Sequence, residues 1–470
     1  MESEGIGEVR AALTAFHGLA YVVSSKRYPL SFTQEWFLTL DQGDDGGTFG
    51  RRFILVSAIR VTGPVDLVVL QGALDDVVAR HELLRTLVVR DADPPYQIVR
   101  PPCPVPLEVR DLPPDTGTSR DMIAQELIVE AEAGTINARE VPLLRAELCR
   151  FDDRDSVLFL TVHHSVSDAW SLQVILRDLG AFYTTRHAGV PAALPPARQY
   201  REYAEWQRAN ASSPAEDGAP KYWQEKLHGG REFTISNDHG HPESYSRPYS
   251  LHVHVIDADV IAEASALATA TRSTSFTVLL SAFYVLAHTI TGATDLAIRA
   301  FTAGRDEPQF QDTMGLFLNV VPFRTGLAGC TSFRDILTRA METFLDAITH
   351  ELPVNVIEQA FPDFIKSRDD LRTSQFIISS SVSPVGDDPT HPIAEGARVI
   401  SERLLQEPVY HDIPSGMVWN LNVEPSGKLY GSVLFNQDEF DESTVQGWAA
   451  DLRQILTSAV RNPDQDWQTP

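Results

Sequence analysis

His163-His164-Ser165-Val166-Ser167-Asp168 sets two imidazoles and a carboxylate within one short stretch of chain. Of all side chains, an imidazole titrates closest to neutral pH. When held in place, it can take a proton from an amine or a hydroxyl and hand it back. The residues just before, Val157 to Val162, form an apolar run with the pattern of a buried strand. After Asp168, the segment Trp170-Ser171-Leu172-Gln173-Val174-Ile175-Leu176 reads as an amphipathic helix. The histidines therefore sit at a strand end and Asp168 at a helix start. Successive strand side chains point to opposite faces, so one histidine can line a cavity while the other packs into the scaffold. The same residues also fit a plainer role, as satisfied core histidines followed by an aspartate N-cap.

A chain of 470 residues is too long for one ordinary core, which implies at least two lobes. From about residue 30 to 185 short apolar strands alternate with amphipathic helices, an α/β pattern. The boundaries expected are an N-terminal lobe over 1–195, a linker with helices over 196–229, and a second α/β lobe over 230–470. A net charge of −25 argues against nucleic acid or an anionic membrane as partner. Cys103, Cys149 and Cys330 are odd in number, far apart and without metal-type spacing, which points to a reducing cytoplasm. The acidic start Met1-Glu2-Ser3-Glu4 lacks a signal-peptide pattern. The longest apolar run, Phe276 to Ile290, contains Ser281 and His288, is shorter than a membrane span, and reads as a core helix. Gly-x-Ser-x-Gly and a phosphate-binding loop are absent, and neither His81-Glu82 nor His350-Glu351 is completed to a His-Glu-x-x-His zinc site. No metal is expected.

The histidine stretch resembles the His-His-x-x-x-Asp-Gly-x-Ser signature of condensation domains in nonribosomal peptide synthesis, and other motifs of that family follow in order. Ser31-Phe32-Thr33-Gln34 with Trp36-Phe37-Leu38 is similar to the first, and Arg80-His81-Glu82-Leu83-Leu84-Arg85-Thr86 to the second. Tyr200 to Gln207 matches the fourth and Met314 to Arg324 the fifth, while Thr349-His350-Glu351-Leu352-Pro353-Val354-Asn355 is a degraded sixth. The resemblance reaches from Ser31 to about Val445. It implies two chloramphenicol-acetyltransferase-like α/β sandwich lobes in a V, with an active-site tunnel between them.

The resemblance makes His164 the active-site base or positioning group, with His163 and Asp168 completing the catalytic motif. It also pairs Asp168 with Arg80, as a buried ion pair that shapes the site. Arg80 and Arg85, five residues apart, point to different sides, so one of them can turn inward. Asn319 is expected to satisfy backbone groups where strands cross between lobes, or to act as an ordinary polar cap. Ala169, Trp170 and Ser171 are the motif's neighbours along the tunnel. Ala169 stands where the family has glycine, and alanine disfavours a positive φ and narrows the cavity. The function implied is that of a free-standing condensation enzyme. It would join an acyl group on a carrier protein's phosphopantetheine arm to a small amine or alcohol, as amide or ester, without a cofactor of its own. A coenzyme A-dependent acyltransferase and a non-catalytic docking relic are the alternatives.

Overall fold

The computed structural model describes residues 26–113, 117–189, 194–210, 218–240, 249–305, 307–365, 373–381, 396–400, 416–423 and 427–468. The acidic start lies outside them.

The N-terminal half holds strands β1 (Arg27–Tyr28), β2 (Ile54–Thr62), β3 (Thr86–Val89), β4 (Tyr96–Val99), β5 (Leu107–Asp111), β6 (Leu144–Asp152) and β7 (Asp155–His163). Its helices are α1 (Phe32–Thr39), α2 (Leu67–Arg80), α3 (Arg120–Glu132) and α4 (Ala169–Ala188). Helices α5 (Tyr200–Asn210) and α6 (Ala219–Leu227) follow. The C-terminal half holds β8 (Thr234–Ser236), β9 (Tyr249–Ile256), β10 (Asp295–Thr302), β11 (Asn319–Gly326), β12 (Thr373–Ser381), β13 (Arg398–Val399), β14 (Met417–Val423) and β15 (Leu429–Asn436). Its helices are α7 (Ala258–Thr271), α8 (Ser275–Thr291), α9 (Phe333–Thr349), α10 (Val354–Ala360), α11 (Pro362–Ile365) and α12 (Glu442–Arg461).

Strand β7 explains the first lobe. It pairs antiparallel with β2, bringing Ile54 opposite His163, and with β6 on its other side. Leu158, Leu160 and Val162 pack into the main core with residues of α2 and α4, while Val157 and Phe159 meet Ala124, Leu127 and Ile128 of α3. A strand covered on both faces must be apolar throughout, which is why this run shows so little alternation. The five-stranded sheet runs β13-β2-β7-β6-β5. The second lobe is built on a mixed sheet, β11-β10-β12-β14-β15-β9, with β8 beside β12. Helix α8 lies against it, buried from Thr277 to Ala287, as expected of a core helix. Among the described residues no single helix is long and apolar enough to cross a membrane.

The two lobes interpenetrate. Tyr200 and Tyr203 of α5 belong to the first core, Trp223 and Leu227 of α6 to the second. Phe310, Met314, Leu316, Phe317 and Val354, all from beyond residue 230, pack into the first core. Strand β13 adds antiparallel to the edge of β2.

Candidate active site

The geometry at the strand end separates the two histidines. β7 stops at His163, and His164 opens one 3-10 turn that ends at Val166. His163 is fully buried. Its Nδ1 accepts from the Ser165 N–H at 3.1 Å, so the proton sits on Nε2, which donates to the Gly50 carbonyl at 3.0 Å. Burial pushes its pKa from 6.5 down to about 4, and it stays neutral at physiological pH. With both nitrogens engaged inside the scaffold, His163 cannot reach a substrate, which corrects its placement among the catalytic groups.

His164 is only partly buried. Its Nδ1 donates to the Ser167 carbonyl at 2.7 Å, which leaves the lone pair on Nε2, for which no hydrogen-bond partner is found among the described residues. Burial also lowers its pKa below the usual 6.5, against smaller opposing effects from backbone hydrogen bonds and the Asp168 charge. A neutral imidazole with a fixed tautomer and a free lone pair is the protonation state a general base needs at pH 7. The ring stacks on Phe53, centroids 4.6 Å apart at 10°, with Phe37 edge-on at 6.2 Å.

Asp168 is the N-cap of α4. Its Oδ1 accepts from the Ser171 N–H at 2.7 Å and its Oδ2 from the Phe317 N–H at 3.0 Å. Arg305 Nη2 approaches both oxygens, at 3.2 and 3.4 Å. Every strong position on this carboxylate is taken, so Asp168 holds the site and does not transfer protons itself. The expected pair with Arg80 does not form. Arg80 donates instead to Asp178 Oδ2 at 2.7 Å and to the Pro195 carbonyl, and Asp178 also holds His81 at 2.8 Å and Arg177 at 2.8 Å. The reason is position: Arg80 ends α2, which packs along α4, so it meets a carboxylate well inside α4 and not the one at its start.

Arg85 is the arginine that turns inward. It is buried and donates to the carbonyls of Val78, Arg100 and Ala79 at 3.1, 2.5 and 3.3 Å, tying the end of α2 to the chain after β4. Asn319 satisfies backbone groups, but those of the turn leading into α10 and not of strands crossing between the lobes. Its Nδ2 donates to the Leu352 carbonyl at 2.9 Å and to Glu351 at 2.8 Å, and its Oδ1 accepts from the Val354 N–H at 2.9 Å. The fifth motif thus fixes the backbone of the degraded sixth.

Ser171 is a buried hub, donating to the Gly315 carbonyl at 2.7 Å and accepting from the Gly315 N–H and from Arg305, both at 2.9 Å. Gly315 must be glycine here, because a Cβ would lie 2.2 Å from the Tyr200 ring. Trp170 donates through Nε1 to the Gln311 carbonyl at 3.0 Å. Its ring and that of Phe317 face the Arg305 guanidinium, at 5.4 and 4.0 Å. Ala169 opens α4, is exposed, and has no positive φ. The backbone there asks nothing that alanine cannot give, so the expected turn problem does not arise.

Two residues of the site escaped the sequence reading. Arg305 lies 137 positions from Asp168, and nothing but its closeness to the fifth motif marks it. Phe53 becomes visible only once β2 is registered against β7.

The Condensation domain family model matches residues 24–470. Chondramide synthase cmdD of Chondromyces crocatus is 30% identical over 444 residues, which is 93% of this chain and 11% of that protein. The dimodular nonribosomal peptide synthase of Bacillus subtilis is 29% identical over 460 residues, 94% of this chain and 18% of that protein. The chain spans less than a fifth of the length of these relatives. Among solved structures, SgcC5 from Streptomyces globisporus superposes with a TM-score of 0.87 at 34% identity, covering 93% of this chain and 100% of that one. The X-domain from teicoplanin biosynthesis shares the fold, with a TM-score of 0.75 at 23% identity over 94% of this chain and 97% of its own. With its two acetyltransferase-like lobes and an intact His-His-x-x-x-Asp motif, the chain belongs to the condensation-domain family, whose members are acyltransferases.

Proposed function

We propose that this chain joins an acyl group, delivered as a thioester on the phosphopantetheine arm of a carrier protein, to a small amine or alcohol. The observation that carries this reading is His164 Nε2, a neutral lone pair with no hydrogen-bond partner among the described residues, fixed from behind by the Ser167 carbonyl. The acceptor's N–H or O–H meets that nitrogen while its heteroatom attacks the thioester carbonyl carbon. Nε2 takes the proton as the new C–N or C–O bond forms. The intermediate then collapses, the C–S bond breaks, and the imidazolium returns the proton to the departing thiolate. Nothing is consumed beyond the two substrates, so no cofactor or metal is required. Of the two acceptor classes, a hydroxyl has one specific support: the solved SgcC5 complex contains an aryl-substituted vicinal diol, (R)-(-)-1-(2-naphthyl)-1,2-ethanediol. We therefore place ester formation ahead of amide formation here.

The test is kinetic. The same acyl group is supplied on a carrier protein, on coenzyme A and on a small thiol, each with diol and amine acceptors, and products are read by mass spectrometry. A kcat/KM preference for the carrier-bound form is expected. Equal values for all donors would leave a general acyltransferase, and no product with any pair would leave a docking protein.

A further inference from the structure

Among the described residues, the hydrogen bond from His164 Nδ1 to the Ser167 carbonyl still allows the imidazole to pivot about that contact. The surfaces that can oppose the pivot are the rings beside it: Phe37, edge-on at 6.2 Å, and Phe53, which lies flat against the imidazole at 4.6 Å and 10° and so sets its plane. Phe53 is itself fixed. Its carbonyl accepts from the His164 N–H at 2.8 Å, its N–H donates to the Gly50 carbonyl at 3.0 Å, and Phe37 packs against its edge at 5.6 Å. The Gly50 carbonyl that receives Phe53 is the same one that receives His163 Nε2. The buried histidine therefore braces the segment that carries the stacking ring.

We propose that Phe53, braced through the Gly50 carbonyl by His163, is a positioning residue that fixes the plane of the His164 imidazole and so the line along which Nε2 meets the acceptor. The proposal rests on the reading of His164 given above. It assigns the first histidine an indirect part in the reaction, through two backbone contacts and one ring face. A misdirected base loses rate without losing affinity.

The test compares Phe53→Leu, Phe53→Met, Phe53→Tyr and His164→Ala with the unmodified chain, using a carrier-bound acyl donor and its acceptor. Phe53→Leu is expected to lower kcat on the order of 10–100-fold, with both KM values within about twofold. Phe53→Met fills similar space without a ring and serves if the leucine variant fails to fold. Phe53→Tyr restores the ring face and should return kcat to within about threefold of the unmodified chain. In 15N-labelled histidine spectra, the signal missing from His164→Ala reports this imidazole. It should show a single Nδ1–H tautomer in the unmodified chain and an averaged one in Phe53→Leu. Undiminished kcat in folded Phe53→Leu or Phe53→Met, with His164→Ala inactive, overturns the proposal and leaves the function standing. Equal losses in the leucine and tyrosine variants also overturn it, since the ring face would then not be the cause. Full activity in His164→Ala overturns both.

Discussion

Replacing Asp168 with alanine removes the carboxylate from a site where four contacts converge. Arg305 would be left 2% exposed on its side chain, with its charge unmatched between Trp170 and Phe317. Breaking one half of a buried pair typically costs about 3–5 kcal/mol, mostly the penalty for the stranded ion. The lost N-cap of α4 is worth about 1 kcal/mol on its own and falls within that range. For a unit the size of one lobe, each kcal/mol moves the midpoint by about 2–4 °C, so Asp168→Ala should melt roughly 6–20 °C lower. Arg305→Met removes the cation while keeping an apolar chain against the two rings, and the double variant strands no charge. The two losses should therefore fall short of additivity by about 2 kcal/mol in a double-mutant cycle followed by thermal or urea unfolding. The same cycle between Asp168 and Arg80 should be additive to within about 0.5 kcal/mol. Additivity for Arg305, or coupling for Arg80, would refute the pairing described here.

Three further outcomes are expected. His164→Ala should lower kcat by about two to four orders of magnitude with the melting midpoint nearly unchanged, measured by product formation beside circular dichroism. His163 is neutral when folded and titrates near 6.5 when unfolded, so acid favours the unfolded chain. Its contribution is complete above about pH 6.5 and is lost as the pH falls towards 4, a loss of about 3 kcal/mol that His163→Gln should remove from the urea midpoint profile. Ala169→Gly should cost no more than about 1 kcal/mol, the helix penalty of glycine, and leave turnover essentially unchanged, because the alanine sits in ordinary helical backbone; a large gain in rate would show that its methyl obstructs the site.

Much of the local architecture was legible because it is encoded locally. The apolar run of β7, the Asp168 cap and the helix after it follow from periodicity and residue type within a few turns of chain. The two histidines do differ in burial, His163 being enclosed and His164 only partly so, although by a different route from the alternation of a strand. The strand does not continue through the pair, and His164 falls in the 3-10 turn that follows it. What was not legible was long-range. Asp168 needed a cation, and nearness in motif order suggested Arg80, but α2 meets α4 further along. The real partner arrives from the other half of the sequence, and no periodicity reports which arginine will be brought there. Phe53 was hidden for a related reason, since a phenylalanine before a strand looks like any core residue until the strand opposite is known.

The segment that carries Arg305, Phe310 and Phe317 across to the first lobe bears on how such enzymes exchange parts. By chain order it belongs with the second half, yet its arginine closes the charge on Asp168 and its aromatic residues complete the first core. Recombination at the linker would hand the His-His-x-x-x-Asp lobe a stranger's arginine and a stranger's core side chains. Inheritance of the catalytic lobe as a working unit therefore requires Arg305, Phe310 and Phe317 to travel with it, and with them Val354 and strand β13, which also join the first lobe. A single cut at the linker cannot separate the two lobes.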